Sequence, residues 1–178
     1  SSLVFNSNFG MYPSLAKIDD DHYLCAYTGP FSDGWATVLS VDSDDWAINK
    51  ETVFEFDSAI GLTPSLSKID DEHYLCVYEG SFKRGRAVIL VVDTSSWDIS
   101  RQKSIVFESW RCTSPTVCRI DSTHYLCAYA GSKNNGRGVI LNVNDVVWSV
   151  STVNRFEYDP KRGFFPDLKK IDDDRYLC

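Results

Sequence analysis

The chain has 178 residues, of which 43% are hydrophobic and 13% aromatic, enough apolar material for an ordinary globular core. The formal net charge of −7 repels phosphate backbones, which argues against nucleic acid as a partner. The longest apolar run, at residues 87–92, is too short to span a bilayer, and residues 1–5 lack the basic start of a signal peptide. We therefore expect no nucleic acid and no membrane as partner.

Short runs of β-branched and aromatic residues follow one another along the chain, separated by Gly, Asp and Ser. The string His-Tyr-Leu-Cys starts at His22, His73 and His124, and Arg-Tyr-Leu-Cys starts at Arg175, each step being 51 residues (73 − 22, 124 − 73 and 175 − 124). The same step relates three further sets: Trp46, Trp97 and Trp148; Gly34, Gly85 and Gly136; and Pro13, Pro64, Pro115 and Pro166. The sequence thus indicates repeat units at 22–72, 73–123 and 124–174, with partial copies on either side, in one repeat domain.

The second copy shows the predicted elements of one unit in chain order. Strand A covers residues 64–69, and an acidic turn at 70–72 leads into strand B at 73–78. A loop at 79–85 reverses the chain into strand C at 86–92. A turn at 93–96 then leads into strand D, which runs from residue 97 to about 107. Asp and Gly suit these connections because they accept the backbone angles of tight turns.

The apolar patterns of the strands predict how the units pack. Strands B and C are apolar on both faces, so both must be covered from above and below. Strand D carries polar residues at 100–103 and is expected at a solvated edge. A period near 50 residues with four strands per unit therefore predicts an all-β fold, a β-propeller with about three and a half four-stranded antiparallel blades in this chain. The repeated Trp is expected between adjacent sheets, and Trp97→Ala is expected to cost about 3–5 kcal/mol.

The units resemble the blades of sialidase-like and Asp-box propellers. The resemblance rests on residues 64–70, on the Tyr-rich strand 73–78 and on the turn 93–97, which is similar to a shortened Asp box. The turn departs from that motif because no Gly lies between Asp93 and Trp97, and Asn144 replaces the leading Asp in the third copy. A sialidase similar to these blades needs an arginine cluster, an acid and a Tyr-Glu nucleophile pair. The sequence does not place that set, so the resemblance implies the fold and not the catalysis.

The number of copies is too low for an ordinary closed ring, because the chain holds a strand-D tail, three complete units and part of a fourth. An open array exposes apolar faces on its outer blades and an unpaired strand edge at 176–178. The chain is therefore either a fragment of a longer repeat protein or a subunit that associates with itself. Two chains supply 356 residues, close to seven copies (7 × 51 = 357), so the simplest assembly is a homodimer with a composite blade at each junction.

Repeated His, Cys and acidic residues each have a structural and a functional interpretation. The three histidines lie on separate blades, so we expect half-buried strand residues and not metal ligands. The repeated cysteines are expected to be small buried hydrophobes with free thiols, which favours a reducing compartment, although Cys118 and Cys127 could pair across an A–B hairpin. The acidic clusters at 19–21, 70–72 and 172–174 lack the ligand spacing of a calcium loop and are expected at solvated hairpin tips. We predict no metal and no cofactor.

The connection from strand D to strand A differs strongly between copies and is the candidate ligand-binding region. Because it enters the innermost strand, we expect it near the mouth of a central channel. Aromatic rings beside Arg suit stacking on a sugar or gripping an anion, and ordinary packing or drift between copies is the alternative. The candidate binding residues are Tyr12, Trp110, Arg111, Arg162, Phe164, Phe165 and Asp167.

Two functions of different classes fit these observations. Near-uniform blades without a unique catalytic cluster favour a non-catalytic binding or scaffold protein, with a glycan or another small molecule as ligand. The alternative is a sialidase-like glycoside hydrolase, or a fragment of one, which needs two carboxylates across a pocket. Asp167 is the candidate acid for that function, because the other copies have Ser14, Ser65 and Thr116 at its position.

Overall fold

The computed structural model of the chain describes residues 2–172 and 175–178. Ser1, Asp173 and Asp174 lie outside this range, so the predicted acidic tip at 172–174 is described only at Asp172. The described residues form three blades of antiparallel strands and a two-stranded start of a fourth sheet, which confirms the predicted all-β fold. Their only helical segments are three short 3-10 turns, and no described helix is long and apolar enough to cross a membrane.

Strands follow chain order within each blade, from an inner strand A to an outer strand D. Blade 1 consists of β1 (Met11–Lys17), β2 (His22–Thr28), β3 (Gly34–Val41) and β4 (Ile48–Asp57). Blade 2 consists of β5 (Leu62–Lys68), β6 (His73–Gly80), β7 (Arg84–Val92) and a strand D interrupted into β8 (Ile99–Arg101) and β9 (Ile105–Glu108), which both pair with β7. Blade 3 consists of β10 (Thr113–Arg119), β11 (His124–Ala130), β12 (Gly136–Asn144) and β13 (Ser149–Asp159). The fourth sheet contains β14 (Lys169–Lys170) and β15 (Tyr176–Leu177).

The inner strand of each blade starts with a β-bulge, which the sequence did not indicate. The residue before the repeated Pro has a left-handed backbone, with φ of 52° at Tyr12, 47° at Thr63 and 49° at Ser114. A β-branched residue disfavours this conformation, so surrounding contacts must hold Thr63 in place. One such contact is a hydrogen bond of 3.1 Å from the Thr63 N–H to Thr28 Oγ1 on blade 1.

Most of the core lies between neighbouring blades. Leu24 and Val38 of blade 1 pack with Tyr74 and Val88 of blade 2 in one continuous buried cluster. A second cluster joins the other face of blade 2 to blade 3 at the equivalent positions. Each blade therefore depends on its neighbours for burial, as the two-sided apolar strands predict.

One edge-on aromatic pair recurs at every junction between blades. The ring centroids lie 5.2 Å apart in the pair of Phe56 and Tyr78, and 5.8 Å apart in the pair of Phe107 and Tyr129. Phe5 makes the same contact with Tyr27 at 5.0 Å. The segment before β1 therefore packs on blade 1 as the strand D of another blade would, in agreement with its sequence register.

The repeated Trp joins adjacent blades by stacking on the repeated His, with centroids 3.7 Å apart for His22 and Trp97 and 3.4 Å apart for His73 and Trp148. The predicted position of these two Trp residues between sheets is thus confirmed. Trp97 does not open strand D, as the sequence suggested; it lies in the preceding turn with φ of 62°, and the strand begins at Ile99.

Candidate ligand-binding face

The two ends of the blades differ in the connections that they carry. The D–A connections and the B–C turns, which contain the 3-10 segments Pro30–Ser32, Ser81–Lys83 and Ser132–Asn134, lie at one end, here called the loop face. The A–B and C–D turns lie at the other end, here called the turn face. This arrangement follows from the antiparallel order of the strands, because alternate connections return to the same end.

The backbone of each D–A connection is fixed by a side chain from the end of strand D. Asp57 Oδ1 accepts the backbone N–H bonds of Ala59 and Ile60, and Glu108 Oε1 accepts that of Trp110 at 2.9 Å. The same bonds recur in the outer copies, from Asn8 and Phe9 to Asn6 Oδ1 and from Lys161 and Arg162 to Asp159 Oδ1. The connection is thus pre-organised in every copy.

A second set of bonds ties each connection to the B–C turn of the preceding blade. The N–H donors are Gly61, Cys112 and Gly163, which bond to the carbonyls of Ser32, Lys83 and Asn134 at 2.8, 2.7 and 2.8 Å. Gly61 lies so close to Gly34 that a Cβ on either would overlap backbone or ring atoms, and Gly163 and Gly136 meet in the same way. This contact explains the repeated Gly at the start of strand C.

The connection between blades 2 and 3 presents a large aromatic ring to solvent. The Trp110 side chain is 79% exposed although its backbone is held by Glu108, and Cys112 two residues further on is buried against Gly85. Arg111, between them, is half-buried, and its Nε is buried with no hydrogen-bond partner among the described residues. The predicted pair Trp110 and Arg111 therefore consists of an outward ring and a partly inward cation.

The B–C turns add aromatic side chains to the same face. Phe31 is 92% exposed and Phe82 is 84% exposed, at the tips of equivalent 3-10 turns where φ is 59° and 61°. The guanidinium of Arg84 lies 5.5 Å from the Phe82 ring centroid. Sequence reasoning assigned residues 79–85 to chain reversal only and missed these tips. The signal that could have found them is an aromatic residue at the same repeat position in two turns that need none for packing.

An open cleft of about 280 Å³ lies where the inner strands converge. Its lining comes from the bulged starts of the inner strands of the three blades and from the equivalent residues that precede β14: Tyr12, Pro13, Ser14, Thr63, Pro64, Ser65, Ser114, Pro115, Thr116, Phe165 and Pro166. Ser14 Oγ and Ser65 Oγ each accept a backbone N–H bond from the next inner strand, at 3.0 and 3.1 Å. The residues that line this cleft include no carboxylate.

The structure brings the sequence-predicted residues together only in part. Tyr12 and Phe165 line the cleft, and the Phe164 and Phe165 rings lie 6.5 Å apart beside it. Trp110, Arg111 and Arg162 lie on the D–A connections of the loop face instead. Asp167 is exposed and does not belong to the cleft lining, although its neighbour Pro166 does.

A buried acid that the sequence did not single out lies at the end of β6. Glu79 is 8% exposed, and its carboxylate has no hydrogen bond or ion pair within residues 2–172 and 175–178. Burial raises the pKa of Glu79, and the nearby charges of Lys83 and Arg111 offset only part of that effect. At the same position in blade 1, Thr28 Oγ1 donates to the Gly61 carbonyl at 3.1 Å. Glu79 thus replaces a satisfied hydroxyl at the junction of blades 2 and 3.

A Tyr–Glu contact is present but serves to join blades. Tyr129 Oη donates to Glu108 Oε2 at 2.8 Å, and Tyr78 Oη donates to Asp57 Oδ2 at 2.9 Å at the equivalent position. Both tyrosines are fully buried, and burial raises the pKa of both. Since no substrate can reach a fully buried hydroxyl in this conformation, the pair is a repeated structural link.

The repeated His residues are held by hydrogen bonds within their own turns, as expected for structural residues. His124 Nδ1 contacts Asp121 Oδ2 at 3.0 Å, and backbone N–H bonds from Thr123 and His124 lower the pKa of Asp121 to about 2. Among the described residues no group of His, Cys, Asp and Glu is arranged to hold a metal ion. All six cysteines are free; β10 and β11 pair Cys118 with Leu126, so the predicted alternative of a bridge to Cys127 does not form.

Comparison with protein-family models and with curated proteins gives no match. Among solved structures, the chain is similar to a periplasmic gluconolactonase from Pseudomonas aeruginosa (TM-score 0.57, 18% identity, 76% of this chain and 38% of that chain). It is also similar to a hypothetical selenium-binding protein from Sulfolobus tokodaii (TM-score 0.62, 9% identity, 84% and 42%) and to a mutant NanB sialidase from Streptococcus pneumoniae (TM-score 0.56, 16% identity, 84% and 23%). The chain thus spans less than half of each of these proteins, and the likeness shows the propeller-type fold alone.

Proposed function

We propose that this chain is a non-catalytic binding protein whose ligand is a carbohydrate bound at the loop face. One observation carries the proposal. The D–A connections share a backbone frame fixed by the same hydrogen bonds, whereas the side chains that the frame presents differ from copy to copy. A rigid frame with variable side chains on one face is the usual construction of a binding surface in repeat proteins.

The chemistry of the loop face supports a sugar as ligand. A pyranose has apolar C–H faces that pack against aromatic rings, and the outward Trp110 ring offers such a platform without a change in backbone conformation. Hydroxyl groups of Ser14, Ser65 and Thr116 line the adjoining cleft and can exchange hydrogen bonds with sugar hydroxyls. Apolar rings beside a few polar groups are typical of small-ligand sites.

A glycan array tests this proposal, with Trp110→Ala as the diagnostic variant. Removing the ring is expected to weaken binding of the best glycan at least about tenfold, or roughly 1.4 kcal/mol. Trp46→Ala removes an exposed Trp from the turn face and serves as the matched control, expected to bind as the unchanged protein does. A blank array together with a blank thermal-shift screen, or equal binding by both variants, would contradict the proposal.

A glycoside hydrolase is the second candidate, and Glu79 is the observation that favours it. A carboxylic acid whose pKa is raised by burial has the property of a general acid, and Arg111 lies close enough to influence it. Hydrolysis of chromogenic glycosides that is lost in Glu79→Gln and kept in Glu72→Gln would support this function. No turnover of any glycoside would rule it out.

The turn face supports the finer assignment to Asp-box blades. The Asp93 carbonyl accepts the Trp97 N–H at 2.7 Å, and Asp93 Oδ1 accepts the Ser95 N–H at 2.8 Å. We propose that these turns are shortened Asp boxes, in which the Asp closes the turn and places the Trp against the preceding blade.

We also propose that two chains associate end to end, most simply as a homodimer. Leu15 on blade 1 is 61% exposed, whereas Leu66, Val117 and Leu168 at the same position are buried against a preceding blade. Leu177 on the fourth sheet is likewise 61% exposed, and its equivalents Leu24, Leu75 and Leu126 are buried against a following blade. The two open faces are the two halves of one junction, so a second copy is the partner whose chemistry fits both.

A further inference from the structure

Cationic side chains on the loop face are confined to one half of it. The B–C turn and D–A connection that meet between blades 1 and 2, around Phe31 and Ile60, carry no Lys or Arg. The half that covers blades 2 and 3 and the start of the fourth sheet carries six: Lys83, Arg84, Arg111, Lys133, Lys161 and Arg162. All of these except half-buried Arg111 are exposed. They are called the cationic half-face below.

The side chains of the cationic half-face are not used to hold the fold together. Within residues 2–172 and 175–178, none of the six donates a side-chain hydrogen bond or forms an ion pair, and Arg84 only packs over the Phe82 ring. The cations of the turn face behave differently. Lys17 pairs with Asp20 at 2.9 Å, Lys68 donates to the Ile18 carbonyl at 2.8 Å, and Arg119 donates to the Ile69 carbonyl at 2.9 Å.

The distribution of acids sharpens this asymmetry. Three turns on the turn face, at residues 19–21, 42–45 and 70–72, together contain ten residues, and nine of these are Asp or Glu. Beyond blade 1 the loop face sets the six cations of the cationic half-face against the acids Glu79, Glu108, Asp159 and Asp167, so it is net positive although the whole chain carries −7. An approaching anion is therefore directed to that end of the molecule.

We propose that the cationic half-face binds an acidic polysaccharide, one that carries sulfate or carboxylate groups, across the two junctions that flank blade 3. This inference rests on the proposed carbohydrate-binding function and specifies its ligand. Arg111 and Arg162 occupy the same position in successive D–A connections, so the two cations, one half-buried and one exposed, lie along the path of one elongated ligand. Trp110 and Phe165 supply the ring faces on which the sugars stack.

A nucleic acid is the competing polyanion, and the charge balance favours the polysaccharide. A nucleic acid carries a charge on every nucleotide and is repelled by the net charge of −7 along its whole length. An acidic polysaccharide that carries its charge only on alternate sugars has fewer charges per length and separates them with neutral sugar faces. That alternation matches separate guanidinium groups interspersed with aromatic rings.

The test measures binding of four polymers by calorimetry: keratan sulfate and hyaluronan, which carry sulfate or carboxylate on alternate sugars, and neutral dextran and poly(U) RNA. We expect one or both acidic polysaccharides to bind at least about tenfold more tightly than neutral dextran, with affinity that falls as salt is raised because ionic screening weakens exposed charge pairs. The preference between sulfate and carboxylate identifies the oxyanion. The double variant Lys161→Gln/Arg162→Gln changes only exposed side chains and is expected to lose most of the preference for acidic over neutral polysaccharide. Adding Arg111→Gln to this double variant is expected to reduce the preference further. Lys17→Gln on the turn face is the control.

The outcomes separate this inference from the proposed function. Binding of neutral glycans on the array, with no gain for acidic polymers and no effect of the cation variants, would overturn the inference and leave the proposed function standing. No binding of any glycan would overturn both. RNA that binds as tightly as the acidic polysaccharides would show a general polyanion surface and would also overturn the inference.

Discussion

Glu79 differs from its counterparts in a way that affects folding as well as the loop face. Thr28 and Ala130 at the same position are neutral, whereas Glu79 brings into the junction between blades 2 and 3 a buried carboxylate that has no hydrogen-bond partner among the described residues. Burial raises its pKa, so the folded state binds a proton more tightly than the unfolded chain does. The tighter proton binding of Glu79 stabilises the folded state fully below about pH 4.3, the usual pKa of Glu in an unfolded chain. This stabilisation is lost as the pH rises through the pKa of Glu79 in the folded protein.

Glu79→Gln is therefore expected to stabilise the fold at pH 7–8, by roughly 1 kcal/mol, because an amide avoids the cost of a buried unpaired charge. The gain should shrink as the pH falls toward 4. Denaturant unfolding as a function of pH measures both effects, with Glu72→Gln on the exposed turn face as the control. A Glu79→Gln variant that is destabilised equally at every pH would contradict this account.

Some of these residues could be identified from the sequence and others could not. Trp110 and Arg111 stood out because their counterparts in copies 1 and 2, Asn8, Phe9, Ala59 and Ile60, differ in kind. Asp167 stood out for the same reason, because the other copies have Ser or Thr at its position. In the structure, however, Asp167 does not line the cleft. Glu79 was hidden because its isolation depends on which neighbours approach it in space, and the pattern of residues along one strand does not contain that information.

The stacked His and Trp form the joint that closes adjacent blades at the turn face. His22 is held by Asp19 on one side, at 2.9 Å from Nδ1, and stacks on Trp97 with its ring. Because the Trp97 ring is half-buried, we expect Trp97→Ala to lower the free energy of unfolding by about 3 kcal/mol, the low end of the range predicted from the sequence. The contact between the His22 and Trp97 rings accounts for only a smaller part of this loss in stability, and that part can be measured separately.

A double-mutant cycle of His22→Ala and Trp97→Ala is expected to give a coupling energy of about 0.5–1.5 kcal/mol, the usual range for a ring pair. The control cycle pairs His22→Ala with Trp148→Ala, which belongs to the next junction, and should be additive. Equilibrium urea unfolding measures all of these variants. Coupling of similar size in both cycles would mean that the effect is not the stacking contact.

Strand order and the apolar faces followed from the sequence because period-2 patterns report directly on burial. The repeated bulge at Tyr12, Thr63 and Ser114 could not be predicted from the sequence. A left-handed backbone at a Thr before Pro contradicts the local preference of that residue, and contacts with the preceding blade impose it. The start of strand D after Trp97 was missed for a similar reason, because the Trp ring is drawn out of the sheet toward His22.

Across the whole molecule, the two open faces set the expected state of association. A single chain has a mass of 20.1 kDa, and we expect light scattering to give about twice that value. Leu15→Asp and Leu177→Asp place a charge on one open face each, and either should return the protein to the single-chain mass without unfolding it, since both side chains are exposed. Val147→Asp at an exposed turn is the control. A stable monomer for the unchanged protein at micromolar concentration would contradict the proposal.

Every junction between blades repeats the same set of contacts: the edge-on Phe–Tyr pair, the acid that fixes the D–A connection and the close approach at the Gly in the start of strand C. Blades 1 and 3 therefore present surfaces that match each other as well as they match blade 2. Excision of a block of 51 residues that spans blade 2 would bring Asp57 and Tyr129 into the place that Asp57 and Tyr78 hold now. The architecture thus permits whole-blade deletion and duplication in frame, and the length of such arrays can change by one unit at a time without a new interface.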